Sequence, residues 1–255
     1  MKADKERLDA LLFERGYASS RAQAQALIRA GRVRVTGVVV DKPGTTVPAT
    51  AAIEVSAGAR YVSRGGEKLE AALAAFQIEP TGKVCLDVGA STGGFSDCLL
   101  QHGASRVYAL DVGRGQLHWK LRNDPRVIVR EETNARNLRL EDIGEPVDLA
   151  TVDVSFISLR LVLPPLGAIV RPGGGVIALV KPQFEAGRKA ARRGVVRDPD
   201  VHHAVVEQVS TFAREELGWT VRGVIPSLLL GPAGNREFFL HLGTAPLTSP
   251  RELNR

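Results

Sequence analysis

The chain is 255 residues long, with 34 Lys and Arg against 28 Asp and Glu, a formal net charge of +6 and 44% apolar residues. Such a length gives one large domain, or a large one with a small companion, and the basic excess points to a polyanion partner such as nucleic acid. The charged start from Met1 to Arg7 and the lack of any run of about 18 apolar residues argue against a secretory leader or a membrane span, so a soluble cytoplasmic protein is expected.

Arg7 to Leu12 carries Leu8, Leu11 and Leu12 at helical spacing, and Gly16 stops it. Ser19 or Ser20 can cap a second helix with Ala22, Ala26, Leu27 and Ile28 on one face and Gly31 at its end. Val33, Val35, Val38 and Val40 then alternate around Thr36-Gly37, a hairpin signal. Lys42-Pro43-Gly44 is a turn and Ile53 to Val55 a further strand. Residues 1–59 are thus expected to form a small α+β module. Arg7-Leu8-Asp9, Ser20-Arg21, Ala24, Ile28, Gly31, Val33 and Val35 resemble the small RNA-binding domain named after ribosomal protein S4. Arg21, Arg29, Arg32 and Arg34 cluster near the second helix and the next strand, and with Arg7 they are candidate phosphate contacts.

Residues 60–66 read as a linker. Arg64-Gly65-Gly66 leads into a helix from Glu67 to Phe76 with Leu69, Ala72, Leu73 and Phe76 inward. Lys68 stands near its start, where the helix dipole disfavours a cation, and this suggests a task. The stretch from Val84 to Phe95 then reads as strand, tight turn and helix, the opening unit of a doubly wound sheet with a nucleotide-type ligand at the turn. Its glycines, Gly89, Gly93 and Gly94, are not spaced as in NAD sites. Asp87 at the strand end would repel a pyrophosphate and suits a cationic amino-acid moiety. Asp111, ending the next strand from Arg106, is the acid roughly 20 residues on that can hold a ribose diol. Together these favour S-adenosylmethionine. Cys85 and Cys98 lack metal-ligand spacing and read as small core residues; no metal is expected.

Val127 to Val129 is the third strand, followed by Thr133-Asn134 over the cleft. Val147 to Val152 is the fourth, ending in Asp153-Val154-Ser155-Phe156. Leu159 to Val170 reads as a covering helix, Arg171-Pro172-Gly173-Gly174 as a turn, and Val176 to Val180 as the fifth strand, ending in Lys181. Asp198-Pro199 opens a helix to Leu217. Trp219 to Ile225 and Glu237 to Leu242 make a final antiparallel pair. The expected fold is α/β, a Rossmann-like seven-stranded methyltransferase sheet with its last strand reversed, over residues 67–246 and followed by a tail at 247–255. Ligands of such sheets lie beyond the carboxyl ends of the strands, where Asp87, Asp111, Asp153 and Lys181 fall.

Five segments in order carry a wider likeness: Ser63-Arg-Gly-Gly-Glu-Lys-Leu69, Asp87-Val-Gly-Ala-Ser-Thr-Gly-Gly-Phe95, Asp153-Val-Ser-Phe156, Val180-Lys-Pro-Gln-Phe184 and Gly234-Asn-Arg-Glu-Phe238. They resemble the TlyA (haemolysin A) family of ribosomal RNA methyltransferases, whose catalytic domain is similar to the FtsJ group of ribose 2′-O-methyltransferases. The resemblance covers nearly the whole chain. It implies a catalytic tetrad of Lys68, Asp153, Lys181 and Glu237. It also implies an S-adenosylmethionine site formed by Asp87, Gly89, Ala90, Ser91, Thr92, Gly93, Gly94, Phe95, Asp111, Val112, Asn134 and Asp153. Within that set, Asp87, Gly89, Ser91, Thr92 and Gly93 would hold the methionine moiety, Asp111 the ribose and Asn134 the adenine side. Arg64, and Arg188, Lys189, Arg192 and Arg193 in the loop from Phe184 to Arg197, would meet RNA phosphates.

The chemistry asks for such a set. A ribose hydroxyl must lose its proton as it attacks a sulfonium methyl, and a lysine can accept that proton only if its pKa falls from about 10.4 toward neutral. A second ammonium and burial push it down, and carboxylates pull it up. Lys181 is the expected base, with Lys68 lowering its pKa and Asp153 and Glu237 orienting the two amines. Asp153-Val154-Ser155-Phe156 is not the Asn/Asp-Pro-Pro-aromatic segment of base amino-methyltransferases, and neither cysteine is placed for attack on a pyrimidine ring. A membrane-damaging protein or a non-catalytic ribosome-assembly factor are the other readings; the first lacks an amphipathic pore segment, and the intact tetrad argues against the second. Family members that modify both ribosomal subunits carry an extra C-terminal helix and a longer N-terminus, which Pro246 to Arg255 and Met1 to Glu6 do not match, so the resemblance implies a cytidine of the large-subunit RNA as substrate.

Overall fold

A computed structural model describes residues 5–29, 31–56, 60–187 and 194–244. Arg188, Lys189, Arg192, Arg193 and the expected tail at 247–255 lie outside the described residues. The chain divides into two compact units, Met1–Arg60 and Tyr61–Arg255.

In the first unit, α1 (Leu8–Glu14) and α2 (Arg21–Arg29) lie beside small sheets made of β1 (Lys5–Arg7), β2 (Val33–Val35), β3 (Val38–Val39), β4 (Thr46–Pro48) and β5 (Ile53–Val55). β2 pairs antiparallel with β3 and β5, and β1 with β4. The hairpin turn falls at Thr36-Gly37, both with positive φ (49° and 81°). Leu8, Leu12, Ala24, Ile28 and Val33 are buried together, so the two helical stripes and the alternating valines share one core. β1 is an element the periodicity does not announce, because three residues are too few to show a period.

The second unit opens with α3 (Arg64–Phe76), whose N-cap Ser63 accepts a hydrogen bond from the Gly65 amide at 3.3 Å. The helix therefore begins three residues before the expected Glu67. Tyr61 is buried in the core rather than strung along a linker. The parallel strands β6 (Val84–Val88), β7 (Arg106–Leu110), β8 (Val127–Arg130), β9 (Val147–Val152) and β10 (Val170–Val180) are joined by α4 (Gly94–Gln101), α5 (Trp119–Arg122), α6 (Leu140–Ile143) and α7 (Leu159–Leu166). Then come α8 (Pro182–Glu185), α9 (Pro199–Glu215), β11 (Thr220–Pro226) and β12 (Phe238–Gly243). The sheet order is β11-β12-β10-β9-β6-β7-β8, with β12 antiparallel to both neighbours. This is the expected seven-stranded sheet with its last strand reversed.

Residues 166–175 differ from expectation. The covering helix stops at Leu166 instead of Val170, because Val170 already pairs with Val147 of β9. The segment Arg171 to Gly174, read as a turn, is an irregularity inside β10, and regular pairing resumes at Gly175 opposite Leu149.

Side chains alternate across the sheet. Leu86, Val176, Ala178 and Val180 face the layer formed by α7 and α9, while Cys85, Ile177, Leu179 and Phe239 face α3 and α4. Cys85 and Cys98 are both buried, and burial pushes the Cys85 thiol up to about 12, an inert core residue. Among the described residues no helix is long and apolar enough to cross a membrane.

Candidate active site

The turn after β6 sets the site. Gly89, Ser91 and Gly93 take positive φ (85°, 48° and 96°). The Gly89 and Ala90 amides both donate to Leu110 O (2.8 and 3.0 Å), and the Ser91 amide donates to Asp111 Oδ2 at 2.8 Å. Residue 89 must be glycine, since a Cβ there would stand 2.5 Å from the Asp153 carbonyl oxygen. Gly94 likewise lets the start of α3 approach α4, as its Cβ would meet Ser63 Oγ at 2.2 Å.

Two adjoining cavities lie at the carboxyl ends of the strands. One, of about 290 Å³, is lined by Arg64, Lys68, Gly89, Ala90, Ser91, Thr92, Gly94, Phe95, Asp153, Ser155, Lys181 and Glu237, among others. The other, of about 470 Å³, is lined by Asp111, Val112, Gln116, Thr133, Asn134, Asp153, Ser155 and Phe156, among others. They share Gly89, Ser91, Asp153 and Ser155.

All four expected catalytic side chains face the first cavity. They arrive from α3, the end of β9, the end of β10 and the residue before β12. Lys68 Nζ donates to Glu237 Oε2 at 2.7 Å. Lys181 Nζ stands 2.6 Å from Asp153 Oδ1 and donates to Ser155 Oγ at 2.9 Å. Two ammonium and two carboxylate groups balance, which is the condition for holding them in a largely enclosed space. Glu237 is fully enclosed, and its Oε1 accepts no hydrogen bond among the described residues. Space for that carboxylate comes from Gly231, where a Cβ would lie 2.0 Å from Oε1.

Lys68 is the fifth residue of α3, not part of its first turn, so the dipole argument for it falls away. Its place in the cavity follows instead from the close approach of α3 to α4.

Two members of the expected cofactor set do not line either cavity. Asp87 is fully buried beneath the turn, where its Oδ2 accepts from Ser96 Oγ (2.7 Å) and its Oδ1 from Thr151 Oγ1 (3.1 Å). Burial raises its pKa to about 7, against the lowering effect of those two hydroxyls. It braces the strand end and is not aimed at a cationic ligand. Gly93 gives room to Leu117 and Leu121, which its Cβ would meet at 2.8 and 2.2 Å. The remaining members, Gly89, Ala90, Ser91, Thr92, Gly94, Phe95, Asp111, Val112, Asn134 and Asp153, all line one cavity or both. Asp111 is tied by two backbone donors, the amides of Ser91 and of Gly113 (2.7 Å).

Sequence reasoning leaves out Ser155, Phe156, Gln116 and Gly231 as site residues. Phe156 had a signal only in hindsight. It is 90% exposed, has φ of 64°, and its ring lies 4.9 Å from that of Phe184. A bulky residue held in the left-handed region in open solvent marks a functional wall rather than core.

In the N-terminal unit the candidate arginines divide. Asp9 is buried and gathers Arg7 (3.0 Å), Gln25 (2.8 Å) and, at 3.5 Å, Arg21. The Arg7 hydrogen bond foremost holds that carboxyl well below the ordinary range. Arg7 and Arg21 remain about half exposed, so they are braced from below with their outer faces open. Arg32 donates to Ser56 O (3.3 Å) and Arg34 to Gly37 O (2.9 Å); Arg29 is exposed.

The FtsJ-like methyltransferase family matches residues 61–244, and the S4 domain matches residues 6–53. The chain is 51% identical over 245 residues to the 16S/23S rRNA (cytidine-2'-O)-methyltransferase TlyA of Mycobacterium tuberculosis, spanning 95% of this chain and 91% of that one. It is 41% identical over 241 residues to Hemolysin A of Brachyspira hyodysenteriae, spanning 92% and 98%. A solved structure from Streptococcus thermophilus, described as a candidate hemolysin, is similar with a TM-score of 0.73 and 44% identity, over 96% of this chain and 90% of that one. A glycine turn, two joined cavities and a charge-balanced quartet thus sit inside the matched segment, and the chain belongs to the TlyA/hemolysin-like family of rRNA methyltransferases, an S4 domain followed by an FtsJ-like methyltransferase domain.

Proposed function

We propose that the chain transfers a methyl group from S-adenosylmethionine to the 2′-hydroxyl of a cytidine in ribosomal RNA. The observation that carries this is the convergence of Lys68, Asp153, Lys181 and Glu237 on one cavity beside the glycine turn. S-adenosylmethionine supplies an electrophilic methyl on a positively charged sulfur. The residues fit it. Exposed Val112 and Phe156 give the larger cavity apolar walls, with Asp111 and Asn134 as polar groups for a ribose and an adenine edge. The smaller cavity, with Ser91, Thr92 and the unobstructed backbone at Gly89, takes the amino-acid end.

Lys181 takes the proton of the ribose hydroxyl as its oxygen bonds to the methyl carbon and the carbon–sulfur bond breaks. Asp153 Oδ1 lies 2.6 Å from Nζ, and Nζ donates to Ser155 Oγ at 2.9 Å. Ser155 thus joins Asp153 in holding the base beside the cavity. Lys68, steadied by Glu237, places a positive charge by the developing oxyanion. The transfer also needs hydroxyl and methyl placed in line. Arg64 at the cavity rim, with the N-terminal arginines, meets the RNA backbone.

The test is transfer of labelled methyl from S-adenosylmethionine to purified 23S and 16S rRNA and to both ribosomal subunits, with the product nucleoside identified. The expected product is 2′-O-methylcytidine. Lys181→Ala should lower turnover roughly 10²- to 10⁴-fold with cofactor affinity retained. A methyl group on the base, or turnover unchanged in Lys181→Ala, would overturn the assignment.

A further inference from the structure

At the amino-terminal edge of the sheet, the end opposite the cleft, lies a separate cavity of about 390 Å³. Lys83 before β6, Asp148 in β9, Arg171 to Gly175 in β10, Arg222 in β11 and His241 in β12 line it, together with the end of α3. The methyl-transfer chemistry uses none of these groups.

His241 is only 9% exposed, yet its ring makes no hydrogen bond among the described residues; its neighbour is the Phe76 ring at 5.2 Å. Gly175 keeps the space before it open, since a Cβ there would lie 3.5 Å from His241 Nε2. Arg222 lies along the β12 backbone, because residue 243 is glycine and a Cβ would stand 2.5 Å from its Nε. Of the three permanent cations, only Arg171 has a carboxylate in contact among the described residues, Asp148 at 2.8 Å. Asp148 also accepts from the Val84 amide at 2.8 Å, so both its oxygens are used. The other carboxylate in the lining, Glu79, is exposed at the rim. Burial first, then Arg222 and Lys83, push the His241 imidazole down to about 4.

The site is therefore short of an acceptor. A histidine ring without a hydrogen-bond partner among the described residues, an ammonium and a guanidinium fork line one cavity, from β12, the residue before β6 and β11. Donors arriving from several directions suit the tetrahedrally arranged oxygens of a phosphate better than a planar carboxylate. We propose that this cavity binds a phosphate group. Either an RNA backbone phosphate or a free phosphate supplies that chemistry.

The experiment is a histidine-resolved NMR titration of the full chain with inorganic phosphate, against chloride of equal ionic strength. A saturable shift of the His241 signals is expected, and His241 should titrate about one unit higher in phosphate, which by linkage is a tenfold tighter grip on the protonated form. Lys83→Gln combined with Arg222→Gln should weaken phosphate at least about tenfold while the thermal midpoint holds. A short single-stranded RNA added to the saturated protein separates the sources: displacement assigns the site to RNA backbone, and retention assigns it to free phosphate. No His241 response specific to phosphate, or the same response in the double variant, overturns the proposal.

Discussion

Asp87 shows how one carboxyl can serve a site it never touches. Its pKa near 7 in the folded protein stands above the roughly 3.9 of an unfolded aspartate. Between those values the unfolded chain has released a proton that the folded chain keeps. The unfolded state then binds fewer protons, so stability falls as pH rises from about 4 to 7 and levels off above that. The full loss is on the order of 4 kcal/mol, and the hydroxyls of Ser96 and Thr151 prevent it from being larger. Asp87→Asn keeps the shape and can still bond both hydroxyls. Urea unfolding should find it a few kcal/mol more stable than the parent at pH 8 and about equal at pH 4. Its affinity for S-adenosylmethionine should change little, as measured by calorimetry, because the side chain lines neither cavity. A collapse of that affinity would restore Asp87 as a direct ligand.

At the scale of elements, the placement of Lys68 depends on how α3 begins. Ser63 caps it, and Gly65 and Gly66 enter the first turn despite their poor helix propensity. Packing explains them: a Cβ on Gly66 would stand 2.2 Å from Tyr61 Cγ, and Gly65 approaches Phe95. Gly66→Ala should therefore cost about 1–3 kcal/mol through overpacking, read by denaturant unfolding. It should also lower turnover, since moving α3 moves Lys68. A variant as stable and active as the parent would show that the contact yields without consequence. On the opposite wall, Glu185 of α8 accepts from Ser158 Oγ (2.6 Å) and the Leu159 amide (2.7 Å). The segment after Lys181 is thereby pinned to the start of α7, and the loop bearing Asp153, Ser155 and Phe156 is held between two strand ends.

On the scale of the whole molecule, most of the net charge of +6 lies in the N-terminal unit, which offers arginines of two kinds. Arg7 and Arg21 rest on buried Asp9, whereas Arg29 and Arg34 are exposed with no ion pair among the described residues. Substituting Arg29 and Arg34 together by Ala should weaken RNA binding uniformly across sequences. The slope of log affinity against log salt should become shallower by roughly 0.7–0.9 per lost phosphate contact, measured by filter binding over a salt series. Cofactor affinity should stay the same. An unchanged slope would place the RNA elsewhere.

Much of this protein is written locally. The alternating valines, the leucine stripes and the glycine turn between β6 and α4 are patterns of period 2 and 3.6, and each buries its own apolar face, so element type and order can be read from residues alone. Strand ends are local too, which is why Asp111, Asp153 and Lys181 were legible as cleft residues. What the sequence could not decide is where side chains remote in the chain meet. The pairing of Lys68 with Glu237 spans 169 residues and exists only because β12 inserts antiparallel beside β10. Whether a strand-end carboxylate faces the ligand or the core depends on the depth of the neighbouring turn, so Asp87 went inward although its chemistry suited either place. The run from Leu166 to Gly175 departs from its local pattern for a related reason: parallel pairing with β9, a non-local force, draws Val170 out of the helix and into the sheet.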